Sequence, residues 1–344
     1  MDSLPPPFAD LPPGTDSVSV AEFMQAALYH PEHGYYTRHV RTVGRRGDFS
    51  TGPAISDLWG RALARWVAAR RPAGRPLHLI EIGGGAGDLA FHLLQRLGWW
   101  RRWGLGLRYH LVEISGSLRE RQRERLRGFP VTWHGRIEDA LAAARGRALI
   151  FSNELVDAFP CEQFVRRGHG WRQVRLCPEA GGGWREIERE ALLPASSALA
   201  LDVAEGQRVE VHASYRAWLA AWRPLWQEGA LLTVDYGEQV ETLYHRRPRG
   251  TLRGYAHHQL VTPPALYAHP GHRDLTADVN FTDLETWGAE LGLAARSRQS
   301  QAAFLRHWIP GCAEAPDPAT AYLLAEEGMG GAFQVLEQQP MGSF

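Results

Sequence analysis

The sequence contains no lysine, so its 38 basic residues are all arginine, and 38 acidic residues balance them. Without lysine, Schiff-base chemistry, a lysine general base and the lysine of a phosphate-binding loop are all excluded. The net charge of zero also lacks the basic excess that is typical of proteins that bind nucleic acids. We therefore expect no nucleic-acid partner.

Cysteine is scarce as well, because Cys161, Cys177 and Cys312 stand alone and form no C-x-x-C pair. That spacing argues against a zinc ribbon, an iron–sulfur cluster and a disulfide framework. Two H-x-x-H pairs, which begin at His30 and His269, lie among proline and glycine rather than on a clear helix face. We therefore predict no metal site.

Long apolar runs are also missing. No run of about 18 apolar residues, the length that crosses a membrane as a helix, occurs in the sequence, and we expect no membrane partner. The first 37 residues contain several acids but no arginine, which argues against a secretory signal and a mitochondrial presequence. We therefore predict a cytoplasmic location.

From residue 77 onward, short apolar runs alternate with helical patterns. This alternation predicts an α/β fold with a Rossmann-like, mostly parallel, doubly wound sheet. We predict an N-terminal helical arm and cap over residues 1–76 and a Rossmann-like domain over 77–344, with insertions at about 161–205 and 239–280. The predicted strands are 77–82, 109–114, 131–133, 148–151 and 231–235, with 293–298 and 333–336 as a closing antiparallel pair.

A glycine loop, Glu81-Ile82-Gly83-Gly84-Gly85-Ala86-Gly87, follows the first predicted strand, where open α/β sheets bind ligands. A dinucleotide-binding G-x-G-x-x-G would need a third glycine at Asp88. The pattern present, E-x-G-x-G-x-G, resembles motif I of Rossmann-like methyltransferases, in which the acid faces the amino end of S-adenosyl-L-methionine (SAM). We predict a SAM site at Glu81, Gly83, Gly85 and Gly87; a nucleotide site and a structural turn are the alternatives.

Two further acids follow at positions that suit the rest of this cofactor. Glu113 ends the second predicted strand, where a carboxylate can accept hydrogen bonds from ribose hydroxyls, and Ile114 follows it. Glu138, after Ile137, stands where such folds meet the adenine. The alternatives are a solvated acid at the end of a strand and an acid favoured in the first turn of a helix.

The segment that follows the fourth predicted strand contains Asn153, Glu154 and Asp157. In this fold class the reacting group lies at that edge, and two acids can hold a cation. Three residues apart in a helical turn, both carboxylates would project to one side. The alternative is a turn in which the side chains satisfy backbone groups.

Several blocks in one order together resemble the MidA family, SAM-dependent methyltransferases linked to the assembly of respiratory complex I. They cover almost the whole chain and comprise V-A-E-F-M at 20–24, G-Y-Y at 34–36, G-D-F-S-T at 47–51, the glycine loop, L-V-E-I-S at 111–115, S-N-E at 152–154, D-A-F-P at 157–160, D-Y-G at 235–237, T-L-R-G-Y at 251–255 with His258, D-L-T-A-D-V-N-F at 274–281, and F-Q-V-L at 333–336.

The resemblance implies a class I methyltransferase fold and methylation of a protein arginine, with SAM as cofactor and S-adenosyl-L-homocysteine as product. Carboxylates must then orient the guanidinium, and Glu154 and Asp157 are our candidates for this catalytic clamp. His258 could accept a proton, although a structural histidine is the alternative. Thr51 and Asn153 join the predicted cofactor set, and the predicted substrate side comprises Asp48, Phe49, Asp235, Tyr236, Asp274, Thr276 and Asp278.

The sequence departs from the family pattern at a few positions. Gly84 and Ala86 replace the proline and arginine of the usual glycine loop, while Ala54 and Asn280 each replace an acid. The two lost acids put the family substrate in doubt. Two alternatives to a protein-arginine methyltransferase therefore remain. One is a small-molecule O- or N-methyltransferase with 239–280 as its lid, and the other is a SAM-binding assembly factor. The oligomeric state is open too, with a homodimer among the alternatives.

Overall fold

The computed structural model describes residues 6–8, 15–39, 52–71, 76–98, 106–179, 183–256 and 259–342. The strands within these ranges are β1 (Val18–Ser19), β2 (His78–Ile82), β3 (Arg108–Val112), β4 (Val131–His134), β5 (Leu149–Asn153), β6 (Glu162–Arg167), β7 (Gly170–Pro178), β8 (Trp184–Arg189), β9 (Arg208–Val211), β10 (Leu231–Glu238), β11 (Arg253–Ala256), β12 (Gln259–Val261), β13 (Asp274–Thr276), β14 (Val279–Asn280), β15 (Leu293–Ser300) and β16 (Phe333–Pro340).

The helices within the same ranges are α1 (Val20–Tyr29), α2 (Gly52–Ile55), α3 (Leu58–Ala69), α4 (Asp88–Arg96), α5 (Gly116–Arg125), α6 (Ile137–Ala143), α7 (Ala213–Trp222), α8 (Val240–Leu243), α9 (Phe281–Glu290), α10 (Gln301–Trp308), α11 (Pro318–Leu324) and α12 (Met329–Ala332). Among the described residues, none of these helices is long and apolar enough to cross a membrane.

The chain divides into two compact units. The sheet unit comprises 42–155, 220–237 and 285–344, and the insertion unit comprises 1–41, 156–219 and 238–284. The segments that we predicted as insertions thus belong to one unit together with the N-terminal residues, whereas residues 42–76 of the predicted N-terminal cap belong to the sheet unit.

The sheet unit is built on strands in the order β15-β16-β10-β5-β2-β3-β4. Strands β2, β3, β4, β5 and β10 run parallel to one another. Strand β16 pairs antiparallel with both β10 and β15. This confirms the predicted doubly wound, mostly parallel sheet and its closing antiparallel pair. The strand order reverses between β2 and β5, and in such sheets ligands bind at the carboxyl ends of the strands beside that reversal.

Apolar side chains on both faces of the central strands explain why this sheet is buried. Leu79 and Ile80 of β2 and Ile150 of β5 are completely inaccessible to solvent, as continuous apolar runs in parallel strands predict. Helix α3 packs Trp59 and Trp66 into the same core. We call the two ends of the parallel strands the carboxyl edge and the amino edge of the sheet.

The insertion unit is antiparallel. Strands β1, β7, β6 and β9 follow one another in one sheet, with β8 on β7, and β12, β11 and β13 form a second small sheet. Helix α1 begins at a capping box, in which Ser19 and Glu22 each accept a hydrogen bond from the other's backbone N–H, an arrangement that fixes the start of a helix. The small sheet matters for the site because β13 carries Asp274 and Thr276.

Candidate functional site

The glycine loop joins β2 to α4 at the carboxyl edge. Gly83, Gly85 and Gly87 all adopt left-handed backbone conformations, with φ of 69°, 53° and 89°, which residues with a Cβ atom adopt only under strain. A Cβ atom on Gly83 would also lie 3.0 Å from Leu155 Cδ1. The loop therefore requires glycine for its own conformation and presents bare backbone, to which a ligand can come close.

Glu81 lies directly beneath this loop. It is 3% exposed, and it accepts a 2.6 Å hydrogen bond from the Tyr109 hydroxyl. Burial raises the pKa of Glu81 to about 7, although the bond from Tyr109 lowers it. A carboxylate that is buried without a paired cation gains from a positively charged ligand, because such a ligand restores the stabilisation that water would give.

Glu113, just beyond the end of β3, is the second buried acid at the carboxyl edge. Its Oε1 accepts the Ser115 backbone N–H at 2.9 Å, and its Oε2 accepts Gln122 Nε2 at 3.0 Å. Burial raises the pKa of Glu113, against the lowering effect of these hydrogen bonds. The next residue, Ile114, is 59% exposed, so an apolar surface stands beside the carboxylate, as a site for an adenosyl group requires.

Gln122 is a site residue that the sequence analysis missed. Its Nε2 also donates to the Gly85 carbonyl at 2.9 Å, and its Oε1 accepts Trp133 Nε1 at 3.1 Å. Gln122 thus links the glycine loop to Glu113. Its position in the sequence was the available signal. Gln122 lies four positions from Leu118 of α5 and four from Leu126, which follows α5, and both leucines are buried. Residues four positions apart share one face of a helix.

The two predicted adenine contacts differ in exposure. Ile137 is 2% exposed and belongs to the core. Glu138 is half-buried and pairs with Arg136 at 2.9 Å, and this hydrogen bond lowers the pKa of Glu138. Their role towards adenine stays a prediction.

Beyond β5, Glu154 occupies a left-handed backbone conformation, with φ of 54°. The expectation of a helical turn that begins here is therefore wrong, because this conformation cannot begin a right-handed helix. The Glu154 backbone N–H donates to the Val234 carbonyl at 2.9 Å, and its Oε1 accepts Asn153 Nδ2 at 2.9 Å. A strained non-glycine residue is characteristic of sites where a side chain must be held in a particular place.

Asp235, which lies on β10, holds the segment that follows β5 through hydrogen bonds. It is fully buried, its Oδ2 accepts the Leu155 backbone N–H at 3.1 Å, and its Oδ1 accepts the Tyr236 backbone N–H at 2.9 Å. The carboxylate thus fixes the loop that follows Glu154. Tyr236 packs its ring on Phe333, with centroids 4.0 Å apart.

In the insertion unit, Asp157, Asp274 and Thr276 come together around Tyr36, another residue that the sequence analysis did not single out. Thr276 Oγ1 donates to Asp157 Oδ2 at 2.8 Å, and the Tyr36 hydroxyl donates to Asp274 Oδ1 at 2.8 Å. Burial raises the pKa of Asp157, while the bond from Thr276 lowers it. The Tyr36 ring stacks on Tyr29, which holds the hydroxyl in place.

Asp278 has a different environment from these two acids. Its oxygens form ion pairs with both Arg247 and Arg253, and its backbone N–H donates to Thr251 Oγ1 at 3.0 Å. Two cations of the chain itself therefore neutralise this carboxylate. Asp278 is consequently poorly suited to hold a further cation.

Asn280, which replaces a family acid, serves as a local cap. Its Oδ1 accepts the Thr282 backbone N–H at 3.1 Å, and its Nδ2 donates to Ser197 Oγ at 2.9 Å. The exchange of acid for amide thus falls at the start of α9, where either residue type can cap a helix.

Four predicted residues, Asp48, Phe49, Thr51 and His258, lie outside the described residues, as does the side chain of Ala54. Within the described ranges, no group of three or more histidine, cysteine, aspartate or glutamate side chains is arranged to hold a metal ion.

Comparisons with known proteins identify a methyltransferase family. Residues 60–298 match the Methyltransf_28 family model, described as an S-adenosyl-L-methionine-dependent methyltransferase. The mitochondrial protein arginine methyltransferase NDUFAF7 of Danio rerio is 32% identical over 304 residues, which are 78% of this chain and 68% of that protein. Its Mus musculus counterpart is 30% identical over 328 residues, 85% of this chain and 71% of that protein.

A solved structure from Burkholderia thailandensis, a methyltransferase-like protein bound to S-adenosyl-homocysteine, has a TM-score of 0.81 and 28% identity to this chain. The match covers 96% of this chain and 90% of that one. A second structure from the same organism has a TM-score of 0.77.

The prediction of a cytoplasmic location is wrong, because the curated relatives are named as mitochondrial proteins. It was drawn from the charge of the first 37 residues.

Proposed function

The chain belongs to this family of SAM-dependent methyltransferases and has the class I fold, and from that premise we propose that it methylates an arginine side chain of a protein. The cofactor is S-adenosyl-L-methionine and the product S-adenosyl-L-homocysteine. The names of the relatives, protein arginine methyltransferases, suggest the substrate class.

One observation in this chain carries the proposal. The carboxylates of Asp157 and Asp274 accept hydrogen bonds from the hydroxyls of Thr276 and Tyr36. A hydroxyl donor fixes the orientation of a carboxylate. An oriented anionic group of this kind suits a guanidinium, which binds carboxylates through paired N–H donors.

The residues of the carboxyl edge fit the cofactor as follows. We assign the ammonium group of SAM to Glu81, the ribose hydroxyls to Glu113, and one face of the adenine to Ile114. The left-handed glycines at 83, 85 and 87 admit the methionine part close to the backbone. Gln122 keeps the glycine loop in register with Glu113.

Bound SAM supplies an electrophilic methyl group on a sulfonium. A guanidinium is a poor nucleophile, because its pKa exceeds about 12 and its lone pairs are delocalised. We assign to Glu154 the tasks of orienting the guanidinium and of accepting the proton that one nitrogen loses as it is methylated, whereas its pairing with Asp157 stays a prediction from the sequence. Asn153 orients Glu154 through its amide, and Tyr36 and Thr276 orient the acids of the insertion unit. Alignment of this kind lowers a barrier by up to about 7–11 kcal/mol in well-oriented systems.

The test is the chemical identity of the methylated product. We expect the purified enzyme, incubated with methyl-labelled SAM and the proteins of cells that lack the gene, to label macromolecules. Acid hydrolysis should then release labelled methylarginine. The Gly85→Val variant, which should not bind SAM, is the matched blank. Label found only in the low-mass fraction, or in an amino acid other than arginine, would overturn the proposal and favour the small-molecule reading.

A further inference from the structure

A second cavity lies in the sheet unit at the amino edge, where β2 and β5 begin. Its volume is about 440 Å³, and His78, Leu149, Arg70, Arg145, Arg147 and Glu228 are among its lining residues. This volume falls within the usual range of small-molecule sites, roughly 300–1,000 Å³. Because β2 spans His78–Ile82, at about 3.3 Å per residue the cavity is separated from the glycine loop by the length of the strand.

The charges that line this cavity do not balance. Arg70 is neutralised by Glu337, with contacts of 2.6 and 2.8 Å, and Arg147 has a loose pair with Glu228 at 3.8 Å. Arg145 has no acidic partner among the described residues. Burial lowers the pKa of His78, and the positive charges of Arg108 and Arg145 lower it further.

The backbone at Arg145 is a second, independent observation. Arg145 follows the C-terminal end of α6 with φ of 53°, and Gly146 N–H donates to the Leu141 carbonyl at 2.9 Å. This is the helix-ending turn in which glycine is the usual left-handed residue. An arginine here is strained, and strain of this kind accumulates where a side chain serves a function. The helix dipole also favours a cation at this end, so a test must separate the two roles.

We propose that this cavity binds a small phosphate- or carboxylate-bearing molecule, with Arg145 as its principal contact and Arg147 and His78 as further donors. A guanidinium pairs with either oxyanion through two parallel N–H donors. Such a ligand would provide the anion that the lining lacks. A volume of about 440 Å³ suits a small molecule rather than a polymer. The site is separate from the methyl-transfer site and does not depend on the substrate proposed above.

The experiment is a calorimetric titration of the full-length protein at pH 7 with two probes, inorganic phosphate and citrate, each at constant ionic strength set with chloride. We expect saturable binding of at least one probe. Arg145→Gln keeps the Cβ and most of the length but removes the charge, and should weaken binding by about tenfold or more, the scale of one charge-assisted pair. Arg145→Lys, which keeps a charge, should weaken it less.

Arg121→Gln is the matched control, because Arg121 lies on α5, outside the cavity lining, and likewise has no acidic partner among the described residues. It should bind both probes as the wild type does. Equal affinity of the wild type and Arg145→Gln, or heat that follows only ionic strength, would overturn the proposal. Thermal unfolding of each variant without ligand checks that the fold is intact. Preference for phosphate over citrate, or the reverse, identifies which oxyanion the site takes.

Discussion

The two edges of one sheet carry opposite chemistry. At the carboxyl edge, buried Glu81 and Glu113 accept hydrogen bonds from Tyr109 and Gln122, which are neutral donors. At the amino edge, Arg145 lines a cavity whose arginines outnumber its acids. Each edge also holds one non-glycine residue in the left-handed region, Glu154 at one and Arg145 at the other. Our two proposals use this difference, with the ammonium group of SAM at the acidic edge and an oxyanion at the edge that carries Arg145.

A row of histidines connects the two edges. His78 Nδ1 lies 3.0 Å from His110 Nε2, and His110 Nδ1 lies 3.0 Å from His134 Nε2. Burial lowers the pKa of His110 to about 4, so at neutral pH the row bridges three parallel strands without adding charge.

The largest effect on the carboxyl edge is expected when a side chain is introduced into the glycine loop. We expect Gly85→Val to weaken SAM binding by at least about a hundredfold, because a β-branched residue is strained at φ of 53° and stands where the ligand approaches. Calorimetric titration with SAM is the measurement. Gly128→Val is the control, since Gly128 has φ of 86° and open space around its Cβ position. If both variants bind SAM as the wild type does, the loop is not the cofactor site.

The next effect is expected at Glu113. Glu113→Ala should weaken SAM binding by about 1.5–3 kcal/mol, the scale of a lost charge-assisted hydrogen bond. It also removes the acceptor for Ser115 N–H and Gln122, so we expect a lower melting temperature as well. Titration below that temperature separates the two effects, with exposed Glu120→Ala as control. A fall in stability with unchanged SAM affinity would make Glu113 a structural acid only.

Glu154→Gln tests the chemistry at the same edge. The glutamine keeps an oxygen for Asn153 Nδ2 but removes the charge. If the substrate is a cation, turnover should fall at least tenfold, about 1.4 kcal/mol of transition-state stabilisation, while SAM affinity stays nearly constant. Single-turnover rates with labelled SAM measure it. Full activity of the variant on the true substrate would remove Glu154 from the clamp.

Much of the sheet could be predicted from the sequence, for a physical reason. Strands β2, β3 and β5 are short, mostly apolar segments followed by a glycine or an acid, and parallel strands buried on both faces favour such apolar segments. The small sheet of β11, β12 and β13 could not be predicted, because strands of three or four residues pair through contacts distant in sequence. The sequence analysis does not predict helix α7, which lies between β9 and β10.

The candidate site was predictable where residue type alone decides the chemistry, as at Glu81 and the glycines. The hydrogen-bond partners of the site residues could not be predicted. Nothing local reveals that Tyr109 meets Glu81, or that Tyr36 meets Asp274, since strand pairing or chain topology brings these residues together. The left-handed conformation of Glu154 has no sequence signal either, because only surrounding structure can impose it on a non-glycine residue.

The protonation of Glu81 gives the carboxyl edge a pH dependence. Its pKa of about 7 in the folded protein lies above the usual 4.3 or so, so the folded state binds more protons between these values. The contribution of Glu81 to the free energy of unfolding therefore falls as pH rises through that window. SAM affinity should change in the opposite sense and rise roughly tenfold between pH 5.5 and 7.5, because only ionised Glu81 attracts an ammonium group. Glu81→Gln should lose this rise, and an identical pH profile would contradict the assignment.

The smallest effect is expected at the amino edge, in the stability of variants at Arg145. Arg145→Ala removes the guanidinium but keeps a Cβ at φ of 53°, whereas Arg145→Gly removes both. Relief of left-handed strain, about 1–2 kcal/mol, less the entropy cost of glycine, about 0.5–1 kcal/mol, should make the glycine variant more stable than the alanine variant by roughly 0.5–1 kcal/mol. Urea unfolding of both variants and the wild type measures it. If Arg145→Gly is also at least as stable as the wild type, the arginine is kept at a cost in stability, as a binding residue would be. If both variants are less stable than the wild type by the same amount, the arginine serves the end of α6 through the helix dipole, and the two edges differ in charge without differing in the ligands they bind.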